Sequence, residues 1–108
     1  MAHRLEKLNS LMIEMAGSFI KTKINSGALI TATRTEMSED LREVKIFISV
    51  FPEKEEEEII KTLKKKTHNF VEHVKKNIRT KFLPRISFEI DRGAKMERRI
   101  EEILNTAA

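Results

Sequence analysis

One stretch, Ile59 to Phe82, decides what this chain can fold into. It reads IIKTLKKKTHNFVEHVKKNIRTKF and is helical in pattern throughout. Apolar residues recur at Ile59, Ile60 and Leu63, then at Phe70, Val71, Val74, Ile78 and Phe82, mostly three or four apart, which sets them on one stripe of a helix. Between them stand Lys61, Lys64, Lys65, Lys66, Lys75, Lys76, Arg79 and Lys81, with Glu72 the only acid. One face is built for burial and the other can meet an anion. Thr67-His68-Asn69 is a flaw in the pattern. Thr and Asn side chains compete for backbone hydrogen bonds inside helices. Asn69 and Glu72 have the spacing of a capping box, with Asn69 as the cap. The expectation is two helices meeting at Thr67-Asn69.

The flanks fix the order of elements. Leu5, Leu8, Leu11, Met12, Met15 and Phe19 mark an amphipathic helix from His3 to about Ile24, with Gly17 and Ser18 weakening its middle, so that an early end or a bend is expected. Asn25-Ser26-Gly27 is a stop and a turn. Leu29 to Met37 is rich in threonine and favours a strand. After the polar Ser38-Glu39-Asp40, Val44, Ile46, Ile48 and Val50 alternate with Lys45, Phe47 and Ser49, the clearest strand in the chain. The short connection makes this pair antiparallel, and Pro52 ends the second strand. The acids of Glu53–Glu58 precede the long stretch, where carboxylates oppose the positive end of a helix. Beyond Leu83-Pro84, Ile86, Phe88 and Ile90 alternate as a third strand. Arg92-Gly93 reads as a turn, and Met96, Ile100, Ile103 and Leu104 mark a short last helix. A helical connection between strands two and three is what a crossover to a parallel neighbour requires. The fold class is α+β: a two-layer domain of a three-stranded mixed sheet with helices on one face and an added C-terminal helix.

With 108 residues and no cysteine, the expectation is one domain over residues 1–108, its ordered core running from Arg4 to Asn105, held by an unaided apolar core. The N-terminus has no continuous apolar run, so neither a signal peptide nor a membrane span is read there, and a cytoplasmic location is expected. The net charge of +4 conceals its distribution, for residues 61–85 hold nine basic groups and one acid. A block this dense attracts polyanions. On charge alone a nucleic-acid surface and a merely solvated lysine-rich face stand level.

Catalytic and metal chemistry find no support. His68 and Glu72 lie one turn apart, but His73 points about 100° further round, and HNFVEH is one residue too long for the HxxEH zinc pattern. The glycines, Gly17, Gly27 and Gly93, form no phosphate loop, and no nucleophile stands beside a base. No enzyme activity, cofactor or metal is expected. Phe47 lies opposite the Val44/Ile46/Ile48/Val50 face, and packing under the terminal helix is preferred there to stacking on a base.

The order αββααβ is that of the bacterial-type KH domain. RLEKLNSLMIEM, ITATRTEMSEDLREVKIFISVF and KFLPRISFEIDRGAKMERRIEEIL resemble the ribosome-binding factor A family, from about Arg4 to Asn105. The most specific parts are the turn Ser38-x-Asp40-Leu41-Arg42 and the step Leu83-Pro84 before the third strand. The family resembled lacks the GxxG loop of ordinary KH domains and has an Ala-x-Gly kink between helices. The matching positions here are Thr67, His68 and Asn69, so both small residues are replaced. The resemblance implies a non-catalytic factor that binds the free small (30S) ribosomal subunit and its 16S rRNA and assists late maturation and rRNA processing. The residues expected to contact RNA are Lys64, Lys65, Lys66, His68, Asn69, Lys75, Lys76, Arg79, Lys81 and Arg85. A protein-protein adapter and a basic peripheral membrane protein are the alternatives, the latter without a tryptophan to mark an interfacial face. A monomer is expected, since no apolar stripe looks spare once the core is assigned.

Overall fold

The computed structural model describes residues 2–40, 42–78 and 83–107. The elements run α1 (Ala2–Lys23), β1 (Leu29–Met37), β2 (Glu43–Phe51), a single 3-10 turn (Glu53–Glu55), α2 (Glu56–Lys65), α3 (Thr67–Asn77), β3 (Arg85–Ile90) and α4 (Arg92–Ala107). The sheet order is β1-β2-β3, with β1 antiparallel and β3 parallel to β2. The α+β fold class and the mixed three-stranded sheet are as the sequence predicts. Residues 52–84 supply the crossover.

Strand alternation builds the two layers. Val44, Ile46, Ile48 and Val50 of β2 and Ile86 and Phe88 of β3 point to one side, where they meet Met12, Ala16 and Phe19 of α1, Ile59 and Leu63 of α2, and Phe70 and Val74 of α3. Phe70 is wedged edge-on between Phe19 at 5.2 Å and Phe88 at 5.4 Å, so one ring joins α3 to both α1 and the sheet. Burying a side chain of this size contributes roughly 1.5–3 kcal/mol. α1 runs without a break to Lys23, contrary to the expected bend, because five core residues from Met12 to Ile20 hold it across Gly17.

The turn from β1 to β2 explains the Ser-x-Asp motif. The Ser38 hydroxyl donates to the Asp40 carboxylate over 2.6 Å and accepts from the Glu43 N–H at 3.0 Å. Asp40 also accepts from the Arg42 N–H at 3.1 Å. Leu41, part of the same motif, lies outside the described residues.

Three expectations need correction. Arg92 and Gly93 do not form a turn but open α4, because the Asp91 carboxylate accepts the Gly93 N–H at 3.0 Å and so caps a sixteen-residue helix. Phe47 is buried, but beneath a cation: the Arg34 guanidinium carbon lies 3.8 Å from its ring centre. The premise behind a monomer also fails. Met96, Ile100, Ile103 and Leu104, spaced as one stripe of α4, are 51–66% exposed.

Candidate nucleic-acid interface

α2 and α3 carry the basic block on the outer surface of the helical layer. Their buried residues, Ile59 and Leu63 on α2 and Phe70 and Val74 on α3, fix which sides face out. Lys64 and Lys65 stand exposed on the last turn of α2, and Lys75 and Lys76 on the last turn of α3. His68 and Asn69 are exposed on the first turn of α3. Each lysine pair also opposes the negative end of its own helix, a local reason for its position that leaves the ammonium groups in solvent. The acids Glu56, Glu57 and Glu58 occupy the first turn of α2, at the opposite dipole end. The helix therefore has an acidic start and a basic finish, and its field is directed at the α2–α3 junction.

The junction is one residue, Lys66, and this corrects the expected position of the break. Asn69 is not a cap; it is the third residue of α3, and the cap position, Lys66, makes no side-chain capping bond. The chain turns earlier because the Thr67 hydroxyl donates back to the Leu63 carbonyl at 2.9 Å, a bond that competes with the helical ladder. The Lys66 N–H meanwhile bridges the Thr62 and Leu63 carbonyls, each at 3.1 Å, with its backbone at φ −96°, ψ 5°. Such angles lie between the helical and extended regions and need no glycine. The Phe70 N–H to Lys66 carbonyl bond, 3.0 Å, then starts the new ladder. At the far end α3 stops at Asn77, whose side-chain amide donates to the His73 carbonyl at 2.8 Å, and Ile78 is extended. The helical pattern up to Phe82 therefore overruns the helix, and Phe82 itself lies outside the described residues.

The ten residues expected to meet RNA do not form one surface. Lys64, Lys65, His68, Asn69, Lys75 and Lys76 share the two outer helix faces. Lys66 is half-buried, and its ammonium donates to the carbonyl of Lys23, the last residue of α1, at 2.9 Å. Arg85 pairs in register with Glu43 and alternates with the buried Ile86, so it belongs to the helix-free side of the sheet. Arg79 and Lys81 lie outside the described residues. Lys75 is 3.5 Å from the Glu72 carboxylate, but both are about half exposed. Such a helical pair is worth only about 0.3–0.5 kcal/mol, too little to withhold Lys75 from a phosphate. Lys61, which is not among the ten, lies on the same helix as Lys65. It is exposed one turn before Lys65, beside Glu57 and Glu58 in a shallow groove that also includes Lys54.

Among the described residues no three His, Cys, Asp or Glu side chains converge as metal ligands. His73 is half-buried, its ring 6.2 Å from that of Phe19, while His68 stands in solvent.

The family model of ribosome-binding factor A matches residues 4–104. The chain belongs to the ribosome-binding factor A family. A ribosome-binding factor A from Protochlamydia amoebophila is 30% identical over 105 residues, covering 94% of this chain and 80% of that one. One from Thermodesulfovibrio yellowstonii is 31% identical, covering 96% of this chain and 93% of that one. The fold is that of the crystal structure of ribosome-binding factor A from Thermus thermophilus, with a TM-score of 0.69 at 20% identity over 79% of this chain and 93% of that one. Within this KH-like architecture the present member of the ribosome-binding factor A family joins its two central helices through a lysine, with no GxxG loop.

Proposed function

We propose that this protein binds the free small (30S) ribosomal subunit through its 16S rRNA and assists late maturation, including rRNA processing, as a binding module without catalytic activity. One observation carries the reading beyond family membership: lysines stand in solvent on the outer faces of both α2 and α3, on either side of the Lys66 junction. Ammonium groups displayed this way add a salt-dependent and largely sequence-independent attraction to phosphates. Folded RNA is recognised mainly through shape and backbone, which suits such a surface. The RNA-binding residues proposed are Lys64, Lys65, His68, Asn69, Lys75 and Lys76, with Arg79 and Lys81 continuing the block in sequence. The reading takes the chain as one cytoplasmic domain.

Co-sedimentation with purified free small subunits tests it. Binding should weaken steeply as salt rises, and the triple reversal Lys65→Glu, Lys75→Glu, Lys76→Glu should abolish it. Undiminished binding by that variant removes the block from the mechanism. An adapter role is favoured by one observation, the exposed stripe of α4; such a protein would bind neither rRNA on filters nor anionic vesicles. Among the described residues no helix is long and apolar enough to cross a membrane.

A further inference from the structure

We propose that Lys66 is a positioning residue rather than a phosphate ligand: by holding the C-terminal carbonyl of α1, it sets the angle at which α2 and α3 present the lysines beside it. The inference rests on the RNA-binding reading and assigns different tasks to adjacent residues. Lys65 and Lys66 look alike in sequence, yet Lys65 is exposed and Lys66 half-buried. The Lys66 ammonium reaches the Lys23 carbonyl at 2.9 Å, across 43 positions of sequence, in a bond at the exposed edge of the joint. The final carbonyls of a helix lack partners within it and carry its negative dipole end, so an ammonium there is held by a hydrogen bond and by the field together. The same residue is the single link between α2 and α3, and its N–H and C=O both take part in the junction bonds. Its side chain thus ties the joint to α1 while its backbone makes the joint. Phe19 against Phe70 is the matching apolar tie, one turn into α3. The two ties lie at successive points along α3, which resists rotation as well as separation. No proline lies at the joint, so no ring fixes its backbone. The lysine tether fills that role.

Salt dependence separates holding from touching. Removing one cation that neutralises a phosphate lowers the slope of log K against log salt by about 0.7–0.9. The experiment compares Lys65→Met, Lys66→Met and Lys66→Arg with the parent protein in co-sedimentation with free small subunits at several salt concentrations. Methionine keeps the stem and removes the donor and the charge; arginine keeps a donor. Lys65→Met should reduce the slope by about one such increment. Lys66→Met should weaken binding about three- to tenfold at every salt while its slope stays at the parent value, and Lys66→Arg should bind like the parent. A slope that falls in Lys66→Met as it does in Lys65→Met makes Lys66 a phosphate ligand and overturns the proposal. So does parental affinity in Lys66→Met. If the variants at Lys65, Lys75 and Lys76 also leave affinity and slope untouched, it is the RNA-binding reading that fails, and the assignment of Lys66 falls with it.

Discussion

The hydroxyl of Thr33 donates to the buried carboxylate of Asp91 over 2.6 Å. Thr33 is the extra residue of a bulge in β1, where the register with β2 shifts between Ala32 and Arg34. Asp91 caps α4 through the Gly93 N–H, and its own N–H donates to the Ile48 carbonyl at 2.8 Å. The Arg34 Nε also lies 3.5 Å from the carboxylate. An irregularity in the first strand and the root of the last helix therefore share one acid. Replacing Asp91 by alanine removes a cap and takes an acceptor from the part-buried Gly93 N–H and Thr33 hydroxyl, the latter keeping the Phe47 carbonyl at 3.3 Å. The expected loss is about 1–3 kcal/mol of unfolding free energy in urea titration, with Asp91→Asn retaining part of it. A loss within experimental error for Asp91→Ala would show that the shared acid does not hold these elements together.

Gly17 points the other way. A Cβ built there meets nothing within 4 Å, although the residue lies inside α1. Gly17→Ala should therefore stabilise the fold by about 0.5–1 kcal/mol, through the entropy glycine loses in a helix. Thermal unfolding is the measurement, and a lowered midpoint would count against it.

Removing residues 96–108 should change stability by less than about 1 kcal/mol, because the large apolar side chains of the deleted segment are mostly in water. The urea m-value should fall only slightly, since it tracks surface exposed on unfolding. A large drop in either would show that α4 is docked more firmly than its exposure indicates.

Asp40 responds to acid. The Ser38 hydroxyl, and after it the Arg42 N–H, lower its pKa below the ordinary carboxylate value. A depressed folded-state pKa contributes stability above the unfolded value, and that contribution is lost as pH falls through the folded one. In Ser38→Ala the pKa of Asp40 should rise toward the ordinary range, as followed by NMR titration. An unmoved titration would assign the shift to another cause.

Much of the fold was legible because strands announce themselves, the first by its branched residues and the other two by parity. Leu29–Met37 and Glu43–Phe51 end where the sequence puts them, between turn residues and Pro52. The helix junction was legible in kind but misplaced. Asn69 and Glu72 imitate a cap, while the bonds that turn the chain belong to Thr67 and to the backbone of Lys66. Asp91 carried no signal, for one acid between a strand and a glycine looks like turn material until its partners on β1 are known. The basic block was plain from charge, but its division was not. The partner of Lys66 is a carbonyl at the end of another helix, and Arg85 leaves the group only through the parity of β3. The stripe of α4 could be read, whereas its lack of cover is a fact of three dimensions.

The position of β3 governs the order in which the fold is completed. It lies beside β2, yet residues 52–84 come between them, so a ribosome synthesising this chain releases both lysine-bearing helices before the strand that closes the sheet beneath them. The β1–β2 hairpin can form from near neighbours, while the parallel pairing requires a long loop to close and belongs to the slow part of folding. Until Ile86 and Phe88 arrive, Phe70 has only one of its two aromatic neighbours. A nascent chain halted before Arg85 therefore carries the lysines of α2 and α3 on a core that still lacks its third strand.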